Sequence, residues 1–345
     1  MTPESNSPAE RAPFQVTLLG PQRHPTVGKV VRSLGFAAPI VTVTAGWQER
    51  ESDDGELDDL LDGRSRNLRL YERWGDVQNR DPELARAMRR RRDLLQEVRE
   101  TYLLRLRHAL AAVEALQPEP DGAVITAITD HASDAMLGTA DEITGSEARA
   151  TARNDARLRA LEDVRRLDRE LIERLDELND MFIARWRPHE RDAVAAHRAA
   201  VVSHLDEAGG VALAGGHVGV LLALVHLFAV RLPARLPVVA WSAGAMALTE
   251  QVVLFHDRAT VGPSDAEVYG RGLGVVPGIV ALPHARRRLL LSDAARMSLL
   301  AQRFSAAQCV LLDDGARVDL DSDGGVPAVA PVLGRDGHLS AEPAA

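Results

Sequence analysis

Cysteine and lysine are almost absent from this chain of 345 residues, which has one cysteine, Cys309, and one lysine, Lys29. A lone thiol excludes an internal disulfide framework and a cysteine-based zinc site within the chain. Aromatic residues are also scarce, at 4% of the sequence. No apolar run reaches the roughly 18–20 residues that span a bilayer, so we expect no membrane contact and a cytoplasmic location.

Acidic residues outnumber basic ones, which gives a formal net charge of −9 and argues against a nucleic-acid partner. A hydrophobic fraction of 46% is sufficient for a sizeable core. The pair Gly215-Gly216 lacks the rest of a dinucleotide-binding pattern. We therefore expect neither a cofactor nor a bound metal.

The chain contains two kinds of sequence pattern. Short apolar runs predict strands of a parallel α/β sheet over residues 14–52 and 206–334. Between them, over 53–205, apolar residues at three- and four-residue steps predict long amphipathic helices. We expect an α/β domain that is interrupted by a large helical insertion, with a disordered tail over 1–13 and a frayed end over 335–345.

Some segments allow more than one interpretation. Residues 122–129 could be a strand of the sheet or a buried linker. Residues 309–320, with Asp314-Gly315 at the turn, predict a hairpin. The helical insertion could be a lid, a partner-binding module or a dimerisation arm that makes the protein a homodimer.

A serine lies where a predicted strand meets a predicted helix, in the sequence Ala240-Trp241-Ser242-Ala243-Gly244. Small residues around such a serine are typical of a nucleophile elbow, which lifts the hydroxyl clear of the sheet and directs the next backbone N–H toward an oxyanion. The alternative is that Ser242 only caps the helix and that Gly244 only allows close packing.

A serine nucleophile needs a base, and the base needs an orienting group. Asp257 closes one predicted strand and His284 follows another. Both are therefore expected at the carboxyl edge of the sheet, where Ser242 lies. His256 is an alternative base.

Three segments together resemble the dipeptidase E and cyanophycinase family of serine peptidases: Ala214-Gly215-Gly216, residues 241–245, and residues 272–277 followed by Pro283-His284. The resemblance covers residues 206–320 and, in part, 14–46. It implies a flavodoxin-like fold, mainly parallel with helices on both faces, of the type-1 glutamine amidotransferase kind.

The resemblance also implies roles for individual residues. Ser242 would be the nucleophile, His284 the general base and Asp257 its partner, while Gly216 and Ala243 would supply oxyanion-hole N–H groups. The implied activity is hydrolysis of a peptide or related amide bond in a small substrate through an acyl-enzyme.

The chain departs from the family pattern at His217, where asparagine is usual, and at Ala240, where glycine is common. His217 and Trp241 are candidate substrate-binding residues. Arg286 could bind an acidic group of a substrate, or it could lie in solvent at the start of a helix. The alternative function is an altered or inactive member of the same fold that acts as a binding or scaffold protein through its helical insertion.

Overall fold

The computed structural model describes residues 15–117, 140–258, 264–320 and 324–340. The chain divides into two compact units, one formed by residues 1–93 and 178–345 and the other by residues 94–177. We call the first the α/β unit and the second the helical unit.

The α/β unit contains eleven strands among the described residues. They are β1 (Val16–Leu19), β2 (Ile40–Val43), β3 (Ser65–Asn67), β4 (Gly210–Leu213), β5 (Val238–Trp241), β6 (Gln251–His256), β7 (Ser264–Arg271), β8 (Ile279–Pro283), β9 (Gln308–Leu312), β10 (Arg317–Asp319) and β11 (Val332–Leu333). Six of them form one sheet in the order β10-β1-β5-β4-β2-β3, in which every neighbouring pair is parallel except β10 with β1. The predicted α/β fold with a mostly parallel sheet is confirmed.

The other strands lie in two smaller sheets. Strands β8 and β9 pair in parallel and β11 joins β9, while β6 and β7 form an antiparallel ribbon. The predicted hairpin over 309–320 is wrong, because β9 pairs with β8 whereas β10 pairs with β1.

Ten α-helices are present in the described residues. They are α1 (Val27–Ser33), α2 (Gly55–Leu60), α3 (Leu70–Arg80), α4 (Pro82–Ala115), α5 (Ala140–Trp186), α6 (Asp192–Asp206), α7 (Val218–Leu227), α8 (Ala243–Leu248), α9 (Ala285–Arg288) and α10 (Ala294–Arg303). Within the described ranges, none is long and apolar enough to cross a membrane.

Helices cover both faces of the main sheet, because alternate residues of each strand face opposite sides. On one face, Val211 and Leu213 share an apolar cluster with residues of α6 and α7. On the other face, Ala212 and Trp241 share a cluster with residues of α1 and α2. Strands β1, β2, β4 and β5 run parallel, so their carboxyl ends meet at one edge of the sheet. This edge lies between the two helical layers.

The compact helical unit is shorter than the insertion predicted over 53–205. Strand β3 pairs with β2, and α3 contacts both α6 and the 3₁₀ segment Ala45–Arg50. Residues 53–93 and 178–205 therefore belong to the α/β unit. The polar sequence of β3 hid it from sequence reasoning, because a short edge strand does not need an apolar pattern.

Residues 335–340 make hydrogen bonds to the rest of the α/β unit, while residues 341–345 of the end that was expected to fray lie outside the described residues. The N–H of Ser340 donates to the Val332 carbonyl at 2.9 Å. The hydroxyl of Ser298 donates to the Arg335 carbonyl at 2.7 Å. The expected disordered tail (1–13) and the undecided segment 122–129 lie outside the described residues.

The helical unit is built on two amphipathic stretches, one from α4 and one from α5. Their buried residues recur at three- and four-residue steps, as in Leu106, Leu110 and Val113 and in Leu161, Val164, Leu167, Leu171 and Leu175. The Tyr102 hydroxyl donates to the Asp168 carboxylate at 2.7 Å across the pair. The two stripes therefore face each other, as the sequence predicted.

Candidate active site

Ser242 occupies a sharp turn between β5 and α8. Its backbone has φ 52° and ψ −123°, which costs a non-glycine residue of order 1–3 kcal/mol. The Ser242 carbonyl accepts from the Met246 N–H at 3.1 Å, so the helix begins immediately. The hydroxyl makes no capping hydrogen bond, so Ser242 is not a side-chain cap of α8.

Gly244 allows this turn to lie close to the neighbouring strand. A Cβ atom at Gly244 would lie 2.4 Å from the Leu213 carbonyl oxygen and 2.8 Å from that of Ala214. Distances under 3.0 Å to backbone atoms are not tolerated, so the position needs glycine. The small residues around Ser242 thus serve the geometry of the turn.

The structure brings Ser242 and His284 together. Ser242 Oγ lies 3.3 Å from His284 Nε2. His284 itself has φ 57° and ψ 33°, and its N–H donates to the Leu312 carbonyl at 2.9 Å, which ties the turn after β8 to the end of β9. The distance allows proton transfer from the hydroxyl to the imidazole.

The expected pairing of Asp257 with His284 is wrong. One carboxylate oxygen of Asp257 accepts from Arg296 at 2.8 Å, and the other accepts from the Leu290 N–H at 3.1 Å. Asp257 is only 4% exposed and fastens α10 and the segment before it to the end of β6. Among the described residues, His284 Nδ1 has no hydrogen-bond partner.

Gly215 and Gly216 lie close to neighbouring segments at the site, and Gly215 lies next to the Ser242 side chain. A Cβ atom at Gly215 would lie 2.8 Å from Ser242 Cβ and 3.2 Å from its Oγ. Gly216 has φ 112° and lies against Gly46, where a Cβ atom would meet the Gly46 carbonyl oxygen at 2.3 Å. Within the described part of the chain, the N–H groups of Gly216 and Ala243 have no hydrogen-bond acceptor, so both can donate to a substrate oxygen.

Burial and a neighbouring cation favour the neutral form of His284. Burial lowers the pKa of its imidazole below the ordinary value, and the positive charge of Arg288 lowers it further. The carboxylate of Asp314 acts in the opposite direction and raises this pKa. The imidazole is therefore neutral near pH 7 and able to accept a proton. Asp314 is the carboxylate whose charge would stabilise the imidazolium that forms.

His217 lies at the start of α7 and has a defined tautomer. Its Nδ1 accepts from the Val220 N–H at 3.2 Å, so the proton of the neutral ring is on Nε2. A Cβ atom at Gly219 would lie 2.1 Å from the Tyr269 hydroxyl and 3.2 Å from the His217 ring. Tyr269 therefore lies next to His217, and this neighbour could not be predicted from the sequence.

The remaining candidates have separate surroundings. Trp241 is buried at 6% exposure, directly before the nucleophile candidate. The Arg286 N–H donates to the Asp313 carboxylate at 2.9 Å, while its guanidinium is largely exposed. His256 is exposed, and His284 rather than His256 makes the contact with Ser242. Burial raises the pKa of Cys309 to about 12, which keeps it protonated and unreactive.

Comparison with known proteins does not assign the chain to a family. No protein-family model matches the chain, and no curated protein does. Among the described residues, no group of three or more His, Cys, Asp or Glu side chains could hold a metal ion. The chemistry of the site is therefore argued from its own residues.

Proposed function

We propose that this protein is a serine hydrolase that cleaves a peptide or related amide bond in a small substrate. The observation that carries the proposal is the contact of 3.3 Å between Ser242 Oγ and His284 Nε2, made from a turn with positive φ. Such a turn costs stability, and strained residues of this kind cluster at active sites. Ser242, held there without any capping role, is well placed to act as a nucleophile.

The residues suggest a two-step reaction. Ser242 Oγ attacks the amide carbon while its proton moves to His284 Nε2, and the carbonyl oxygen becomes an oxyanion at the N–H groups of Gly216 and Ala243. His284 then gives the proton to the leaving nitrogen as the C–N bond breaks. His284 next takes a proton from water as the water oxygen attacks the acyl carbon, and it returns this proton to Ser242 Oγ as the ester C–O bond breaks and the carboxylic acid leaves.

The fold supports the same proposal. A parallel sheet with the nucleophile at the carboxyl end of a central strand is the arrangement expected of the flavodoxin-like, type-1 glutamine amidotransferase kind. Under the resemblance to the dipeptidase E and cyanophycinase family, the third member of the site would be Asp257. The contacts of Asp257 with Arg296 and Leu290 favour Asp314 for that electrostatic role instead.

The proposal is tested by labelling the full chain with a fluorophosphonate probe, followed by mapping of the modified residue. We expect the phosphonate on Ser242, and a rate lower by about 10³-fold in His284→Ala because the base is lost. Ser203→Ala, on the exposed side of α6, is the matched control and should label at the wild-type rate. A folded protein that carries no label at Ser242 would contradict the proposal.

The second candidate is a binding protein of the same fold that lacks turnover. It is favoured by the absence of a hydrogen-bond partner for His284 Nδ1 among the described residues and by leucines on the helical unit, of which Leu104 is 55% exposed. Absent labelling in a folded protein would favour it, and its test is capture of a second copy or another protein by the isolated full chain.

A further inference from the structure

A cavity of about 310 Å³ opens at the sheet edge next to the candidate active site. Gly216 and Trp241 both line it. Gly216 follows Gly215, which lies against Ser242, and Trp241 immediately precedes Ser242. A substrate with its carbonyl oxygen at Gly216 would therefore lie beside this cavity, which is open to one of its side chains.

The apolar part of the cavity wall is formed by side chains of the core. Its apolar lining consists mainly of Val27, Trp47, Leu57, Leu60 and Trp241. These side chains all belong to, or pack against, the apolar cluster on the α1 and α2 face of the sheet. A preformed apolar cavity at the lower end of the usual range for small ligands, about 300–1,000 Å³, suits one large side chain.

The mouth of the cavity has an acidic bias. Arg50, Asp53 and Glu56 also line the cavity, and all three are exposed, so their charges lie on its solvent side. Arg50 Nε lies 3.4 Å from an oxygen of Asp53, so these two charges offset each other. Glu56 then leaves the charged residues of the lining with one excess negative charge, which repels an acidic group on a substrate.

We infer that this cavity selects an uncharged apolar side chain, aromatic or branched aliphatic, on the residue next to the scissile amide. The inference rests on the proposed function, because it names the substrate class of the same site. It places the selectivity of the site in apolar contacts. An acidic side chain would lose its hydration there and face Glu56.

Binding is tested without turnover, in the full-length Ser242→Ala protein. N-acetyl-phenylalaninamide, N-acetyl-leucinamide and the α-amide of N-acetyl-aspartate are titrated, and binding is followed by intrinsic fluorescence, because two of the four tryptophans, Trp47 and Trp241, line the cavity. We expect the two apolar amides to bind at least about tenfold more tightly than the aspartate derivative. Equal affinities, tighter binding of the aspartate derivative, or no binding of the apolar amides would overturn the inference.

A matched pair of variants locates the binding. Leu60→Glu puts a charge into the half-buried wall of the cavity and should weaken binding of the phenylalanine derivative by at least about tenfold. Val202→Glu makes the same kind of change at an exposed residue on α6, which covers the opposite face of the sheet, and should leave binding unchanged. Circular dichroism confirms that each variant is folded, and a folded Leu60→Glu protein with unchanged binding would contradict the location.

The two proposals fail separately. Apolar amides that bind to the Ser242→Ala protein, combined with absent fluorophosphonate labelling of the wild type, would remove the hydrolase and keep the cavity as a binding site. Labelling of Ser242, combined with absent selectivity among the three amides, would keep the hydrolase and remove the apolar cavity as its specificity site.

Discussion

Ser242 Oγ lies 3.3 Å from His284 Nε2 although the two residues follow strands of different sheets. Ser242 follows β5 of the main sheet, and His284 follows β8 of the smaller one. Both have positive φ, 52° and 57°, so each side chain leaves its strand at a sharp turn toward the other. Two strained non-glycine residues in contact fit the proposed catalytic role of this pair, which would be kept at a cost in stability.

Glycine at position 242 should stabilise the protein and remove its chemistry. Ser242→Gly and Ser242→Ala both lose the hydroxyl, so neither should react with a fluorophosphonate. Glycine adopts positive φ without steric cost, so the free energy of unfolding in urea should be about 1 kcal/mol higher for Ser242→Gly than for Ser242→Ala. Equal stabilities would show that the turn stores no strain.

The pH dependence of labelling should report on the charges around His284. Only the neutral imidazole accepts a proton, so the rate should fall as pH drops through the pKa of His284, which burial and Arg288 hold below its ordinary value. Arg288→Gln removes a like charge, which raises this pKa and moves the acid limb to higher pH. Asp314→Asn removes an opposite charge, which lowers this pKa and moves the limb to lower pH.

A control substitution distinguishes the effect of charges near His284 from the effect of removing any arginine. The guanidinium of Arg235 donates to the Leu205 and Asp206 carbonyls at the end of α6, so Arg235→Gln should leave the acid limb in place. Shifts of the same sign in Arg288→Gln and Asp314→Asn would contradict the electrostatic account.

The sequence predicted the local backbone geometry of the site better than the contacts between residues from distant parts of the chain. The turn at Ser242 was predictable because it depends on the small neighbours Ala243 and Gly244. His284 was predictable because it ends a buried parallel strand. Asp257 was not, because β6 pairs antiparallel with β7 and the carboxylate that follows it is held by Arg296 and the Leu290 N–H.

Other features could not be predicted because they depend on contacts between distant segments or lack a local sequence pattern. Strand β3 is three polar residues at the sheet edge, so no apolar pattern marks it. The turn Asp314-Gly315 suggested a hairpin, but β10 pairs with β1 from the far end of the sequence, and a local pattern carries no information about that pairing. The apolar cavity joins residues from four separate segments, so only the fold reveals it.

Alanine at position 215 should displace the Ser242 side chain without unfolding the protein. Its Cβ would lie 2.8 Å from Ser242 Cβ and 3.2 Å from Oγ, so the serine side chain must move away from His284. A displacement approaching 1 Å can cost about 100-fold in rate, and we expect labelling of Gly215→Ala to slow by at least about tenfold. Gly75→Ala is the control: no atom lies within 4 Å of its Cβ position in α3, so labelling should be unchanged and stability should rise by about 0.5–1 kcal/mol.

Asp257 should prove to be a stability residue and not a partner of His284. Asp257→Asn weakens the ion pair with Arg296, which joins a carboxylate with 2% side-chain exposure to a guanidinium with 21%. Breaking a hydrogen bond between buried charged groups should lower the free energy of unfolding by about 1–3 kcal/mol, while the rate of labelling at Ser242 stays within about threefold of wild type.

The companion variant Arg296→Gln tests the same contact from the other side. It should lower the free energy of unfolding by a comparable amount. The double variant should lower it by less than the sum of the two single effects, because both substitutions remove the same interaction. A folded Asp257→Asn protein of wild-type stability that labels about 100-fold more slowly would return Asp257 to the active site. The structure favours the first outcome, since both carboxylate oxygens already accept hydrogen bonds from Arg296 and Leu290.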